Sequence, residues 1–389
     1  VPTSRTDVMP DRTLDAPEVA RQQSAPDTGE PPALNRARPG QLSVWLFVIA
    51  AVVLVMIVVG GTTRLTQSGL SMVNWEPVGG VVPPLSEADW NAEFDAYKTS
   101  PEFQKINADM TVGDFKGIFF WEYLHRLLGR LLGLALVVPF LWFLARRAVP
   151  PGYARRLGGL VLLVGLQGLI GWWMVASGLV DRPDVAHERL ALHLTTALVL
   201  LVGLIWTALD LRALAAGRSA VTGRPVRWVW PFAVLLGVQI TLGAFVAGLD
   251  AGWMYNTWPM MRGSWLPPGL TELSPVWSNL VDNPVAVQFL HRWLAVVVAV
   301  AALVVASQLF RAGARHYAIA LESAVAVQFL LGVFTLLHAV PVGLGVAHQA
   351  GAVLVLVITV AAAHWSMGGA RNSVGSSQPS PSTRTKQFG

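Results

Sequence analysis

The chain of 389 residues is 53% hydrophobic and only 13% charged, with a formal net charge of +5 and a mean hydropathy of +0.52. That balance is too apolar for a soluble globular protein of this length and makes the bilayer its solvent. The sequence has no cysteine, which excludes disulfides, thiolate nucleophiles, Cys-ligated zinc and iron–sulfur clusters and leaves histidine, carboxylate or thioether as metal ligands.

Residues 1–42 are rich in Pro, Asp, Arg and small polar residues and read as a disordered tail. Asp7, Asp11, Asp15 and Glu18 set this tail apart from a mitochondrial presequence. A helical span needs about 20 mostly apolar residues. The sequence predicts eight, at roughly 43–61, 118–145, 156–177, 188–209, 228–248, 285–310, 317–337 and 343–365. A membrane β-barrel is excluded, because its strands would alternate polar and apolar residues. Residues 367–389, with their Ser/Pro-rich run, form a second tail.

The basic residues explain the pI near 9.9 without nucleic acid. Arg146, Arg147, Arg155 and Arg156 sit in one connection, Arg212, Arg218, Arg224 and Arg227 in another, and Arg311 with Arg315 in a third. These alternate with acidic or mixed connections at 62–117, 178–187 and 249–284, so the positive-inside rule places both termini in the cytoplasm. Trp75, Trp90, Trp253, Trp258, Trp265 and Trp277 fall in the long loops, where an outer-interface position suits tryptophan.

The two halves repeat each other. EYLHR at 122–126 answers QFLHR at 288–292, His193 in HLTTALVL answers His348 in HQAGAVLVL, and SGLSMVNWEP at 68–77 answers AGWMYNTWPM at 251–260. Gln167–Gly171 and Gln328–Gly332 open comparable stretches. Four spans per half give both halves one orientation, a parallel repeat. The expected fold is an all-α integral membrane protein of eight transmembrane helices forming two parallel-repeated four-helix bundles. One half covers 43–210 and the other 228–366, joined by a cytoplasmic linker at 211–227.

With cytoplasmic termini, His125, His193, His291 and His348 all lie near the outer ends of their spans, at one depth. Intramembrane histidine turns to the bundle interior and a partner, and two such helices can hold one iron from both sides. The duplicated pattern therefore favours two heme sites over packing histidines. His316 and His364 fall on the cytoplasmic side, His364 about 24 Å from His348 along the helix. His187 and His338 sit at outer loop ends and read as interfacial.

Arg126, Arg130 and Arg292 need anionic partners at this depth. Heme propionates would serve, and snorkelling to outer headgroups is the alternative. Glu122 lies three residues before His125 where the second half has Gln288. A carboxylate at one site and an amide at the other points to a reactive first site and a fixed cofactor in the second, although Glu122 can also pair with Arg126 one turn on.

Taken in order, GGTTRLTQSGLSMVNWEP, EYLHR, HLTTAL, QFLHR and AHQAGA resemble the heme A synthase family over residues 43–365. The resemblance implies a membrane oxidoreductase that binds heme O in the first half. It implies oxidation of the C8 methyl of heme O to a formyl group by two successive hydroxylations and loss of water. It also implies His125 and His193 at the substrate heme, Glu122 as the essential acid, and His291 with His348 holding a heme b cofactor. The absence of cysteine resembles the alphaproteobacterial and mitochondrial subgroup. Expected partners are heme O, membrane lipid, heme O synthase, an electron acceptor and a second copy of the chain, with no nucleic acid.

Two axial histidines leave no open position for dioxygen. Hydroxylation then requires either departure of one histidine or attack of water on an oxidised methyl, with Glu122 accepting a proton. The competing readings are a bis-histidine b-type membrane cytochrome and a heme-binding transporter without chemistry. A transmembrane electron carrier would want hemes at two depths, and Glu122 opposite Gln288 favours an enzyme over a carrier.

Overall fold

The computed structural model describes residues 36–74, 80–180, 182–217 and 225–375, with side chains through Met367. Most of the first tail, the end of the second, Trp75 with the Glu76 and Pro77 that follow it, and the basic Arg218 and Arg224 lie outside the described residues. Ten α-helices run in chain order: α1 (Pro39–Leu65), α2 (Glu87–Tyr97), α3 (Pro101–Lys105), α4 (Val112–Ala145), α5 (Tyr153–Gly178), α6 (His187–Ala215), α7 (Val229–Gly248), α8 (Pro284–Arg311), α9 (Arg315–Leu337) and α10 (Val342–Gly375). Among the described residues there is no β-strand.

Eight of these, α1 and α4 to α10, are long and apolar enough to cross a bilayer, one for each span expected from the sequence. The protein is a multi-pass membrane protein. Seven of the eight start before the expected residue, and at α1, α4 and α8 a proline or a polar cap, rather than the first apolar residue, sets the start. Pro39 and Pro284 stand in the first turns of α1 and α8, where a missing N–H costs nothing. The Asn283 side chain caps α8 by accepting from Val285 and Ala286.

The spans sort into an inner and an outer set. α1, α6, α7 and α10 bury the largest shares of their apolar windows and pack against one another, while α4, α5, α8 and α9 lie outside them. Leu134, Leu162, Val234, Ile319 and Val327 point outward. In water this would be a liability; against lipid tails it is the expected surface. Polar side chains tie the inner set together. Ser43 donates to the Ala208 carbonyl at 2.8 Å, Gln349 to that of Ile57 at 2.9 Å, and Thr195 meets Thr241 at 3.1 Å. In a membrane each such bond contributes about 0.6 kcal/mol on average.

The long connection expected as loop between the first two spans is structured. α2 and the start of α4 each begin with a reciprocal capping box, Ser86 with Asp89 and Thr111 with Asp114. Tyr97, Phe94, Phe115 and Phe119 form a small core there, with Trp90 packed edge-on to Phe119. This core extends α4 outward, so that His125 lies about four turns into its helix. Trp90 is therefore a packing residue, whereas Trp265 and Trp277 are exposed.

Candidate heme site

Each of the four histidines packs against a glycine on the preceding span. A Cβ built on Gly171 would lie 3.0 Å from His193 Cε1, on Gly243 3.0 Å from His291 Cε1, and on Gly332 2.7 Å from His348 Cε1. On Gly60 it would lie 3.2 Å from His125 Nε2. Gly60, Gly243 and Gly332 sit five residues before the ends of α1, α7 and α9, and Gly171 seven before the end of α5. All four imidazoles are thus at one end of the bundle, within about two helical turns of it, as the sequence predicts.

The His291 and His348 rings stand nearly perpendicular, at 87°, with centroids 6.4 Å apart. An iron held about 2 Å from a nitrogen of each ring, with each centroid about 1 Å behind that nitrogen, calls for about 6 Å. The pair fits two-sided axial ligation. They line a mostly apolar cavity together with Gln239, Gln328, Arg292 and Trp258.

A glutamine one turn before three of the glycines reaches the histidine. The Gln167 amide donates to the His193 carbonyl at 3.0 Å. Gln239 donates to the His291 carbonyl at 3.0 Å and meets its Nδ1 at 3.1 Å. Gln328 does the same to His348, at 2.9 and 3.0 Å. The Oε1 atoms of all three glutamines, and His193 Nδ1, are buried without a partner. In each case the amide nitrogen faces the histidine, so the glutamine holds the residue at its backbone carbonyl and leaves its own oxygen unused. The sequence reading saw Gln167 and Gln328 but missed Gln239, whose four-residue spacing to Gly243 was the available signal.

Glu122 is buried. One carboxylate oxygen accepts from the Ser71 hydroxyl at 2.6 Å and the Met72 N–H at 2.8 Å. The other pairs with Arg126 at 2.5 Å, so the ion pair expected one turn on is present. Arg126 also donates to the Met72 and Asn74 carbonyls. In the second half Gln288 donates to the Tyr255 carbonyl at 3.2 Å, and Arg292 to those of Tyr255 and Thr257. Each arginine therefore clamps the loop that follows the first span of its half. Arg130 donates to the Gly80 carbonyl at 3.3 Å. The sequence reading did not single out these loop carbonyls, because they leave no side-chain pattern.

A second buried carboxylate, Glu102 on α3, also escaped sequence reading. The Tyr97 hydroxyl donates to it at 3.1 Å. Burial pushes its pKa up to about 8, with the negative charge of Glu122 acting in the same direction.

None of the other histidines joins the four. The Nε2 of His187 lies 2.9 Å from Asp282, and its backbone packs on Gly248. His338 meets the Phe334 carbonyl, and His316 lies against Tyr317. His364 pairs with Asp210, which also binds Arg156. Among the described residues no cluster of three or more His, Cys, Asp or Glu is placed to hold a metal ion, and a two-histidine iron site needs none.

The chain is similar to proteins named heme A synthase. It is 50% identical to that of Sphingopyxis alaskensis over 327 residues, covering 84% of this chain and 92% of that one. It is 48% identical to that of Rhizorhabdus wittichii over 335 residues, 86% and 96% of the two chains. To that of Rhodospirillum centenum it is 47% identical over 337 residues, 86% and 90%. Residues 43–360 match the family described as cytochrome oxidase assembly protein, COX15-CtaA. With eight apolar spans and a paired-histidine site at one end, the chain belongs to the COX15-CtaA cytochrome oxidase assembly family.

Proposed function

We propose that this protein is a heme A synthase, a membrane oxidoreductase that converts the C8 methyl of heme O to a formyl group. The observation that carries the reading is Glu122, a buried carboxylate held by Ser71, Met72 and Arg126 one turn from His125. The matching position in the second half is the amide of Gln288. At that position the first half has a group able to take a proton and the second half has none.

In this reading heme O lies between His125 and His193, and heme b between His291 and His348. Heme b supplies one-electron redox chemistry. The methyl becomes a formyl through two successive two-electron oxidations, each adding the oxygen of a water molecule and releasing two protons, to the hydrate, which then loses water, with the electrons leaving to an acceptor outside this chain. Glu122 takes the proton released as oxygen is added, while Arg126 holds the carboxylate in place and keeps its charge balanced. Arg126, Arg130 and Arg292 face the heme propionates. The buried Nε of Arg292, which has no partner, supports that role on the heme b side. The positive-inside bias puts this end of the bundle at the periplasmic face and both termini in the cytoplasm. Heme O synthase upstream, and a second copy of the chain, belong to the same proposal.

The test supplies heme O to membranes containing the protein and resolves the extracted hemes by chromatography. Heme A should accumulate; heme O recovered unaltered would overturn the enzyme reading and favour a carrier or an electron-transfer cytochrome.

A further inference from the structure

We propose that Gln167, Gln239 and Gln328 are positioning residues that fix three of the four histidines as permanent iron ligands. By the same logic His125, which lacks such a residue, is the exchangeable ligand on the face of heme O beside Glu122. The inference rests on the heme assignment above.

Three spans carry a glutamine followed four residues later by glycine: Gln167 and Gly171, Gln239 and Gly243, Gln328 and Gly332. The spacing puts both on one face of the helix, one turn apart. The glycine lets the imidazole approach the backbone, and the glutamine grips the same residue at its carbonyl. At the fourth position α1 keeps the glycine, Gly60, but has Met56 where the others have glutamine. Met56 lies on the correct face, since its Cε is 3.7 Å from a Cβ built on Gly129, one turn beyond His125. A thioether there cannot donate to the His125 carbonyl.

The ring of His125 differs accordingly. It presents Nε2 and Cδ2 to its glycine, while the other three present Cε1. Three imidazoles share one orientation and the ungripped one is turned. The three gripped histidines are fixed at the backbone by a side chain of the preceding span. Without that hold His125 is freer to swing. The two departures from the repeat, Met56 for Gln239 and Glu122 for Gln288, therefore converge on one histidine. The arrangement opens one axial position of heme O next to the proton acceptor and leaves heme b closed.

Carbon monoxide binding to the reduced, purified protein carrying both hemes tests this. Wild type should bind carbon monoxide at heme O and not at heme b. Met56→Gln should weaken that binding about tenfold, the equivalent of ~1.4 kcal/mol, while Met56→Leu, of similar size but without an amide, should leave it unchanged. Gln239→Leu and Gln328→Leu should each release a heme b ligand and let carbon monoxide bind at heme b. Carbon monoxide on heme b in wild type, equal binding in Met56→Gln and Met56→Leu, or no binding at heme b in the glutamine variants would overturn the proposal. Heme content separates this from failure of the parent assignment: if His193→Ala leaves heme O content intact, it is the assignment of heme O to the first half that fails.

Discussion

Ser71 donates a 2.6 Å hydrogen bond to Glu122, and neither residue has a like counterpart in the second half. The sequence repeat places Met254 opposite Ser71 and Gln288 opposite Glu122. Ser71→Ala should therefore lower the rate of heme A formation without loss of bound heme. A hydrogen bond to a charged group contributes about 1.5–3 kcal/mol, so a decrease of about tenfold or more is expected. The ratio of heme A to heme O in extracts, at equal protein, measures it.

His291 and His348 should be separable from the first pair by heme content. Either His→Ala change should lower heme b while heme O remains bound. The reverse outcome, heme O lost and heme b kept, would exchange the roles of the halves.

Gly171 and Gly168 lie on the same helix and make a controlled comparison. A Cβ on Gly171 meets His193 at 3.0 Å, whereas one on Gly168 meets nothing within 4 Å. Gly171→Ala should displace the imidazole at a cost of about 1–3 kcal/mol and reduce heme O retention. Gly168→Ala should retain heme fully and gain up to about 1 kcal/mol in helix propensity. Heme-to-protein absorbance ratios after purification read both.

Glu102 gives a pH dependence whose sign is fixed. Its folded pKa is raised from an ordinary 4.5 to about 8, so between those values the folded state holds a proton that the unfolded state has released. Stability therefore falls as pH rises through this window, by up to about 1.4 kcal/mol per pH unit, and levels off above it. Glu102→Gln should flatten the dependence of the melting temperature in detergent between pH 6 and pH 9. An equally steep dependence in the variant would place the titrating group elsewhere.

Much of this architecture is legible in the sequence because the bilayer imposes a simple rule. Apolar runs of about 20 residues can hardly be anything but spans, and all eight appear as helices. The four histidines were equally legible, since duplication marks them. What the sequence hid is what depends on tertiary approach. Glycines 60, 171, 243 and 332 look like ordinary membrane glycines until a ring is seen against each. Arg126 and Arg292 look like charges in search of an anion, yet both are also engaged with backbone carbonyls of the loop that folds back over them. The loop helix α2 and the outward extension of α4 were missed because Ser86 and Thr111 cap with aspartate, a weaker pattern than the glutamate form. The polar burial of Glu102 carried no periodicity to reveal it.

The measurement that bears most directly on the central claim is the heme composition of Glu122→Gln beside that of wild type after both are supplied with heme O. The account predicts heme A with heme b from wild type, and unconverted heme O with undiminished heme b from the variant. Heme A formed by the variant at the wild-type level would contradict it.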